Sequence, residues 1–334
     1  LIRRLMKRPM FVIGFIFICG LLVASILYSL IWHDHIPENL FLIRNGQMVK
    51  PAPLSPLEAP PLGTDMRGNS LAAMLLIGAK FTLGIAFIIT LIRLSFASFL
   101  GWIYGMYLYR FRRTITGLLD GMHYIPVTIL AFVILAPVLK PDIMTEIYMY
   151  SRTEREIAEI IIIAAIGIPV AALDIGNLIG EIKQRDFITS AKVLGANSLQ
   201  IFWNEIRPHF IPKFSLICIQ QLIQVMILLA HLGVLSLFFG GTILQGRGSS
   251  IHSVSDEWSG LIGLAFQEGQ ATTEPWLFFA PVITFTLAIL AFSFMLEDVK
   301  KVMGERGGTV QKKVRDKKSA VPTDKETNFD FLNR

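Results

Sequence analysis

The sequence predicts an all-α integral membrane protein of six transmembrane helices with both termini in the cytoplasm. Three observations carry this reading. Of 334 residues, 53% are hydrophobic and only 17% are charged, and the mean hydropathy is +0.57. Counting Gly in place of Tyr gives an apolar share of about 59%, against roughly 45–50% in soluble domains. Six apolar stretches reach the ~20 residues a helix needs to cross the hydrocarbon core, and the basic residues fall unevenly between the segments that join them. This composition excludes an ordinary soluble protein, a disordered chain and a nucleic-acid binder.

The six stretches are residues 10–32, 81–108, 117–139, 157–180, 214–238 and 276–296. Each should be helical despite its β-branched content, because backbone groups in lipid must bond internally. The first follows Arg3, Arg4, Lys7 and Arg8, as in a signal peptide, but it is too long for a signal core and reads as a retained anchor. With the amino terminus inside, segments 1–9, 109–116, 181–213 and 297–334 hold 22 of the 31 Lys and Arg, and segments 33–80, 140–156 and 239–275 hold 8. That bias places the first set in the cytoplasm, facing the anionic lipid of the bilayer. The remaining basic residue, Arg93, lies inside the second span.

The chain then divides into an anchor helix with a proline-rich outer segment (1–70), a membrane core (71–300) and a charged cytoplasmic tail (301–334) expected to be disordered. Pro37, Pro51, Pro53, Pro56, Pro60 and Pro61 argue that the outer segment is irregular. The last outer loop contains Gly240, Gly241 and a weakly amphipathic piece over 258–266. Cys19 and Cys218 both sit in apolar runs, so there is no disulfide framework. No internal repeat is visible.

The inner loop 181–213 carries the most information. Phe187, Ala191 and Leu194 fall at helical spacing, Gly195 and Ala196 interrupt, and Asn197 or Ser198 can cap a second helix. Leu199, Phe202, Trp203 and Ile206 repeat at i, i+3, i+4 and i+7, and Pro208 should stop the helix. Two short amphipathic helices about a glycine elbow either rest on the membrane surface or dock a soluble partner.

Catalytic chemistry is absent from the pattern. Residues 63–70 have the glycine spacing of a phosphate loop, but Asn69 stands where its lysine must be. Ser259 lacks the glycine two residues before it that a nucleophile elbow needs. His33 and His35 flank Asp34 at a membrane edge and read as an interfacial polar end rather than a metal site. Within the spans, Arg93 is costly unless it faces protein or water. Gln220, Gln224 and His231 lie within about 40° of one another on a helical wheel, and Arg93 and His231 come to similar depths, about 22–26 Å from their inner ends. These four either bond between helices or line a translocation path.

A resemblance adds to this. Thr189-Ser190-Ala191, Gly195 four residues on and Ile206-Arg207-Pro208 resemble the EAA signature of ABC importer permeases. Asp186-Phe187, Leu194 to Asn197 and Leu235 to Phe238 extend the match. Pro61 to Asp65, Leu76 to Lys80, Trp258 to Leu261 and Pro275 to Leu277 resemble segments of the dipeptide, oligopeptide and nickel permease family, in the right order over about residues 1–300. Thr189 and Ser190 stand where the signature has Glu and Ala, and Arg207 and His209 where it has Leu and Asn.

The resemblance implies a type I ABC importer fold and a heteromeric machine. Its other parts are a second homologous permease, two cytoplasmic ABC ATPases that bind ATP and Mg, and an extracellular solute-binding protein; this chain itself holds no cofactor and no metal. The implied ATPase-docking residues are Asp186, Thr189, Ser190, Ala191, Gly195, Ala196, Leu199, Phe202, Ile206 and Pro208, with peptides as the implied cargo. The competing reading is a stand-alone channel or secondary carrier for a small polar solute, in which the Gly195 loop is only a surface helix.

Overall fold

Where lipid surrounds a chain its amides must be satisfied locally, and the computed structural model is accordingly dominated by long helices. It describes residues 2–44, 47–141, 148–244, 251–253 and 255–319. A short turn α1 (Ile2–Leu5) precedes α2 (Pro9–Trp32), and a hairpin of β1 (Phe41–Arg44) and β2 (Gln47–Pro51) follows. Next come α3 (Leu71–Ile103), a π-helical turn (Tyr104–Leu108), α4 (Arg112–His123), α5 (Val127–Leu139) and α6 (Arg152–Lys183). The inner loop holds α7 (Asp186–Val193), α8 (Ser198–Gln200) and a second π-helical turn (Ile201–Ile206) leading into α9 (Arg207–Val234). Strands β3 (Thr242–Leu244) and β4 (Ile251–Ser253), then α10 (Trp258–Gln267), α11 (Gln270–Thr273) and α12 (Pro275–Ser319) complete the described chain.

Among the described residues, five helices are long and apolar enough to cross a membrane. The third expected span, 117–139, is instead split into α4 and α5 around Pro126. Proline has no N–H and pushes the preceding residue toward extended backbone, so helix stops at His123 and restarts at Val127. The 13 residues of α5 cover only about 20 Å at 1.5 Å per residue.

Four further sequence expectations differ from the structure. The outer segment is not wholly irregular: β1 and β2 pair antiparallel from Phe41 opposite Pro51 to Arg44 opposite Gln47. The sequence between them, Asn45-Gly46, lies outside the described residues and is itself a strong hairpin signal. The weakly amphipathic piece from residue 258 is buried over most of α10 rather than along one face alone. Pro208 does not end a helix but lies in the first turn of α9, where its missing N–H is tolerated. Helix α12 continues past Gly304 to Ser319, through a sequence rich in helix-forming Lys, Arg and Glu; residues 320–334 lie outside the described residues.

Glycine seams hold the long helices together, as in other membrane bundles where small residues let backbones approach. On α3 and the turn after it, Gly101 and Gly105 face α6; a Cβ on Gly105 would lie 2.7 Å from the Gly176 carbonyl oxygen. Gly176 and Gly180 return the contact, lying under the rings of Tyr104 and Tyr109, and the Tyr104 hydroxyl donates to Asn177 Oδ1 at 2.9 Å. The second seam joins α9 to α10, where a Cβ on Gly263 would lie 2.0 Å from the Gly233 carbonyl oxygen. Helix α10 is also tied to α3: the Trp258 amide donates to Thr82 Oγ1 at 2.9 Å and its indole N–H to the Leu75 carbonyl at 2.7 Å.

Candidate functional site: an intramembrane cavity and an exposed elbow

Helices α3, α5, α6 and α9 line an open-sided cavity of about 330 Å³ whose lining includes Arg93, Thr128, Gly167, Gln224 and His231. Three of the four residues singled out in the sequence, Arg93, Gln224 and His231, therefore line one cavity. The fourth, Gln220, is exposed and is not part of the lining. It shares an exposed stripe of α9 with Gln224, Ile227 and His231.

Arg93 is 3% exposed and links three helices. Its Nη1 donates to Gln221 Oε1 at 3.0 Å and its Nη2 to the Ile163 carbonyl at 2.8 Å. Gly167 leaves it room: a Cβ there would lie 2.2 Å from the guanidinium carbon. Gln221, buried and essential to this contact, escaped the sequence reading because it turns about 100° away from the Gln220 stripe. Arg93 thus meets α9 ten residues before His231, about 15 Å along the axis, so the two do not share a depth as the span arithmetic implied. At the His231 end, the imidazole Nδ1 lies 3.2 Å from Thr128 Oγ1. The break at Pro126 is what brings the start of α5, with Val127 and Thr128, to the cavity wall.

The elbow around Gly195 is built as its sequence suggests. Gly195 has φ +86°, and the Ala196 amide donates back to the Ala191 carbonyl at 3.1 Å, a helix stop that needs a left-handed residue. Asn197 then caps the next helix reciprocally: the Gln200 amide donates to Asn197 Oδ1 at 2.8 Å and the Asn197 amide to Gln200 Oε1 at 2.9 Å.

The apolar residues of the loop divide into two groups. Ile188, Ile201 and Ile206 are buried, and Phe187, Ala191, Ala196 and Phe202 pack on the same cluster beneath α3 and α6; Phe202 meets the Trp102 ring edge-on at 6.2 Å. Facing out are Val193, Leu194, Leu199 and Trp203, which are 83%, 87%, 55% and 55% exposed. Leu194 was grouped with Phe187 and Ala191 by periodicity, but it is the C-cap of α7, where the chain leaves helical geometry. Of the residues expected to dock an ATPase, Asp186, Thr189, Ser190, Gly195 and Pro208 are exposed, whereas Ile206 and Phe202 seat the elbow.

The sequence also gave no warning of a buried acidic cluster at the opposite end. Glu257 is 2% exposed and accepts from the Phe239 amide at 2.9 Å, from Ser253 Oγ at 2.5 Å and from Ser255 Oγ. The Gly240 amide beside it donates to the buried Glu159 at 3.2 Å. Burial raises the Glu257 carboxyl above its ordinary range, partly opposed by its two serine hydroxyls and the Phe239 amide. The glycine turn 63–70 is likewise structural: Asp65 Oδ1 accepts from the amides of Arg67 and Asn69 at 2.9 and 2.7 Å.

Known proteins resemble this chain in sequence. Residues 97–301 match the family described as binding-protein-dependent transport system inner membrane component. The chain is 28% identical over 177 residues to the dipeptide transport system permease protein DppC of Haemophilus influenzae, covering 53% of this chain and 55% of that relative. It is 22% identical over 310 residues to the corresponding protein of Alkalihalophilus pseudofirmus, covering 90% of this chain and 87% of that one. The first alignment thus spans about half of the relative's length. The family match takes in the elbow, α9, α10 and the cavity wall from α5 and α6. It covers well over half of the sequence, and the chain belongs to the binding-protein-dependent transport system inner membrane component family, multi-pass permeases of the cell membrane.

Proposed function

We propose that this chain is the peptide-conducting permease subunit of an ATP-driven importer, working beside a second homologous permease, two cytoplasmic ATPases and an extracellular solute-binding protein. The observation that carries the reading is the physical continuity between elbow and cavity. Helix α6 enters the elbow and α9 leaves it, and the same two helices form walls of the cavity. The capping box at Asn197 and the buried Ile188, Ile201 and Ile206 hold the elbow to the membrane helices. Movement imposed on the exposed tip is thereby passed to the cavity wall instead of being absorbed by a loose loop, which is the requirement for switching access between two faces. ATP and Mg belong to the partner ATPases in this scheme. Peptide cargo is supported by the dipeptide permeases the chain resembles and by a lining that mixes polar and apolar groups with one cation, Arg93.

The test is uptake of a labelled dipeptide into proteoliposomes holding both permeases, the ATPases and the binding protein. Uptake that requires ATP and the binding protein is the expected result. Uptake by this chain alone, without ATP, would establish the channel or carrier reading in its place.

A further inference from the structure

We infer that Arg93 is the receptor for a carboxylate of the cargo, so that the cavity reads the anionic end of a peptide; this rests on the peptide-permease reading above. A cation inside a membrane core requires compensation by a counter-charge, water or protein dipoles. Arg93 has only neutral acceptors, the Ile163 carbonyl and the Gln221 side chain. Among the described residues no carboxylate forms an ion pair with it, and no residue lining the cavity is acidic.

The guanidinium also keeps hydrogen-bonding capacity in reserve. Its Nε, fully buried, has no partner, although a guanidinium offers five N–H donors in a fork that fits a carboxylate. That edge lies against Gly167, where a Cβ would come within 2.2 Å of Nε, and Gly167 itself lines the cavity. The absent side chain on α6 lets the guanidinium reach this wall, and Arg93 itself lines the cavity beside Gly167. Beyond it, Gln224, Thr128 and His231 offer hydrogen-bonding groups and Val170 and Leu228 apolar surface, suited to a peptide backbone and an apolar side chain. A strut between helices would need only the two neutral hydrogen bonds, which an uncharged amide could also make; the positive charge is what calls for an anion.

The test reads binding without ATP or the binding protein, so its failure leaves the uptake result standing and failed uptake leaves this result standing. The assembled permease–ATPase complex is unfolded thermally during titration with alanyl-phenylalanine or with its C-terminal amide, the shift reporting affinity by mass action. In the wild type the free acid should raise the midpoint and the amide should not. Arg93→Gln should weaken the acid by about tenfold or more, the loss of one charge-assisted contact, while Arg93→Lys should retain a preference for the acid.

Thr128→Asp, at the first turn of α5 on the cavity wall, places a competing carboxylate in the cavity and should also abolish the acid-specific shift. It provides the deciding measurement if Arg93→Gln fails to assemble. Equal shifts from acid and amide in the wild type overturn the inference. So does an acid-specific shift that survives Arg93→Gln or, where that variant does not assemble, Thr128→Asp.

Discussion

Leu194 offers the most direct test of the elbow. Its side chain is 87% exposed, so truncating it removes almost nothing from the fold of this chain. If an ATPase groove covers it, Leu194→Ala deletes three methyl or methylene equivalents from a buried contact. At ~0.8 kcal/mol each that is roughly 2 kcal/mol, or about thirtyfold in association. Thermal stability of the permease alone should move by no more than about 0.5 kcal/mol, as for an exposed site. The assay titrates the purified ATPase onto the permease pair in nanodiscs and follows membrane level and melting of the variant in parallel. Phe202→Ala is the contrasting control, because Phe202 packs on Trp102 and its loss should lower permease stability first. Wild-type ATPase affinity in Leu194→Ala, with even the double change at Val193 and Leu194 silent, would refute the assignment of this surface.

Three further outcomes follow from the same structure. Gly195→Ala should cost about 1–2 kcal/mol by thermal melting, since φ is +86° and nothing crowds the added Cβ, leaving backbone strain as the only penalty; Gly84→Ala, in open space within α3, should be neutral or slightly stabilising. Gly263→Ala must push α10 off the Gly233 carbonyl and should destabilise by ~1–3 kcal/mol or more, seen as loss of monodisperse protein in size-exclusion chromatography. Glu257 holds its proton to higher pH folded than unfolded, so its contribution is full below the ordinary carboxylate range and lost as pH rises through the raised value; melting curves should show that decline, and Glu257→Gln should flatten it.

Hydropathy and charge bias made the spans and the elbow legible because both are local properties of the chain. Gly195 and Asn197 carry their geometry in their own chemistry, a left-handed residue followed by a capping side chain, and the structure uses both as read. What failed was whatever depends on a neighbour. Gln220 and Gln221 are equivalent in composition, and only the rotation of α9 against α3 decides which one meets Arg93. The glycines at 101, 105, 176 and 180 form matched pairs four residues apart, a pattern present in the sequence but invisible to a hydropathy window. Helix α10 shows only weak amphipathicity in the sequence, whereas Gly263 lets it bury its backbone against α9. Pro126 was absorbed into an apolar run, although the break it makes brings Thr128 to the cavity.

The seam between Gly233 and Gly263 also bears on the mechanics of the chain. From Ser198 to Val234 the helix is continuous over 37 residues, roughly 55 Å of rod at 1.5 Å per residue, with the elbow at one end and α10 fused to the other. A fused end cannot slip, so a tilt of a few degrees at the elbow must reappear as a sweep of several ångströms at α10 and the turn that Glu257 secures. The ratio of those displacements depends on where along the rod the pivot sits, and the Arg93 contact at Gln221 marks a point about two-thirds of the way from the elbow. A pivot there leaves arms of roughly 35 and 20 Å, so the two ends would travel in opposite directions with the longer sweep at the elbow, an uneven seesaw rather than a hinge.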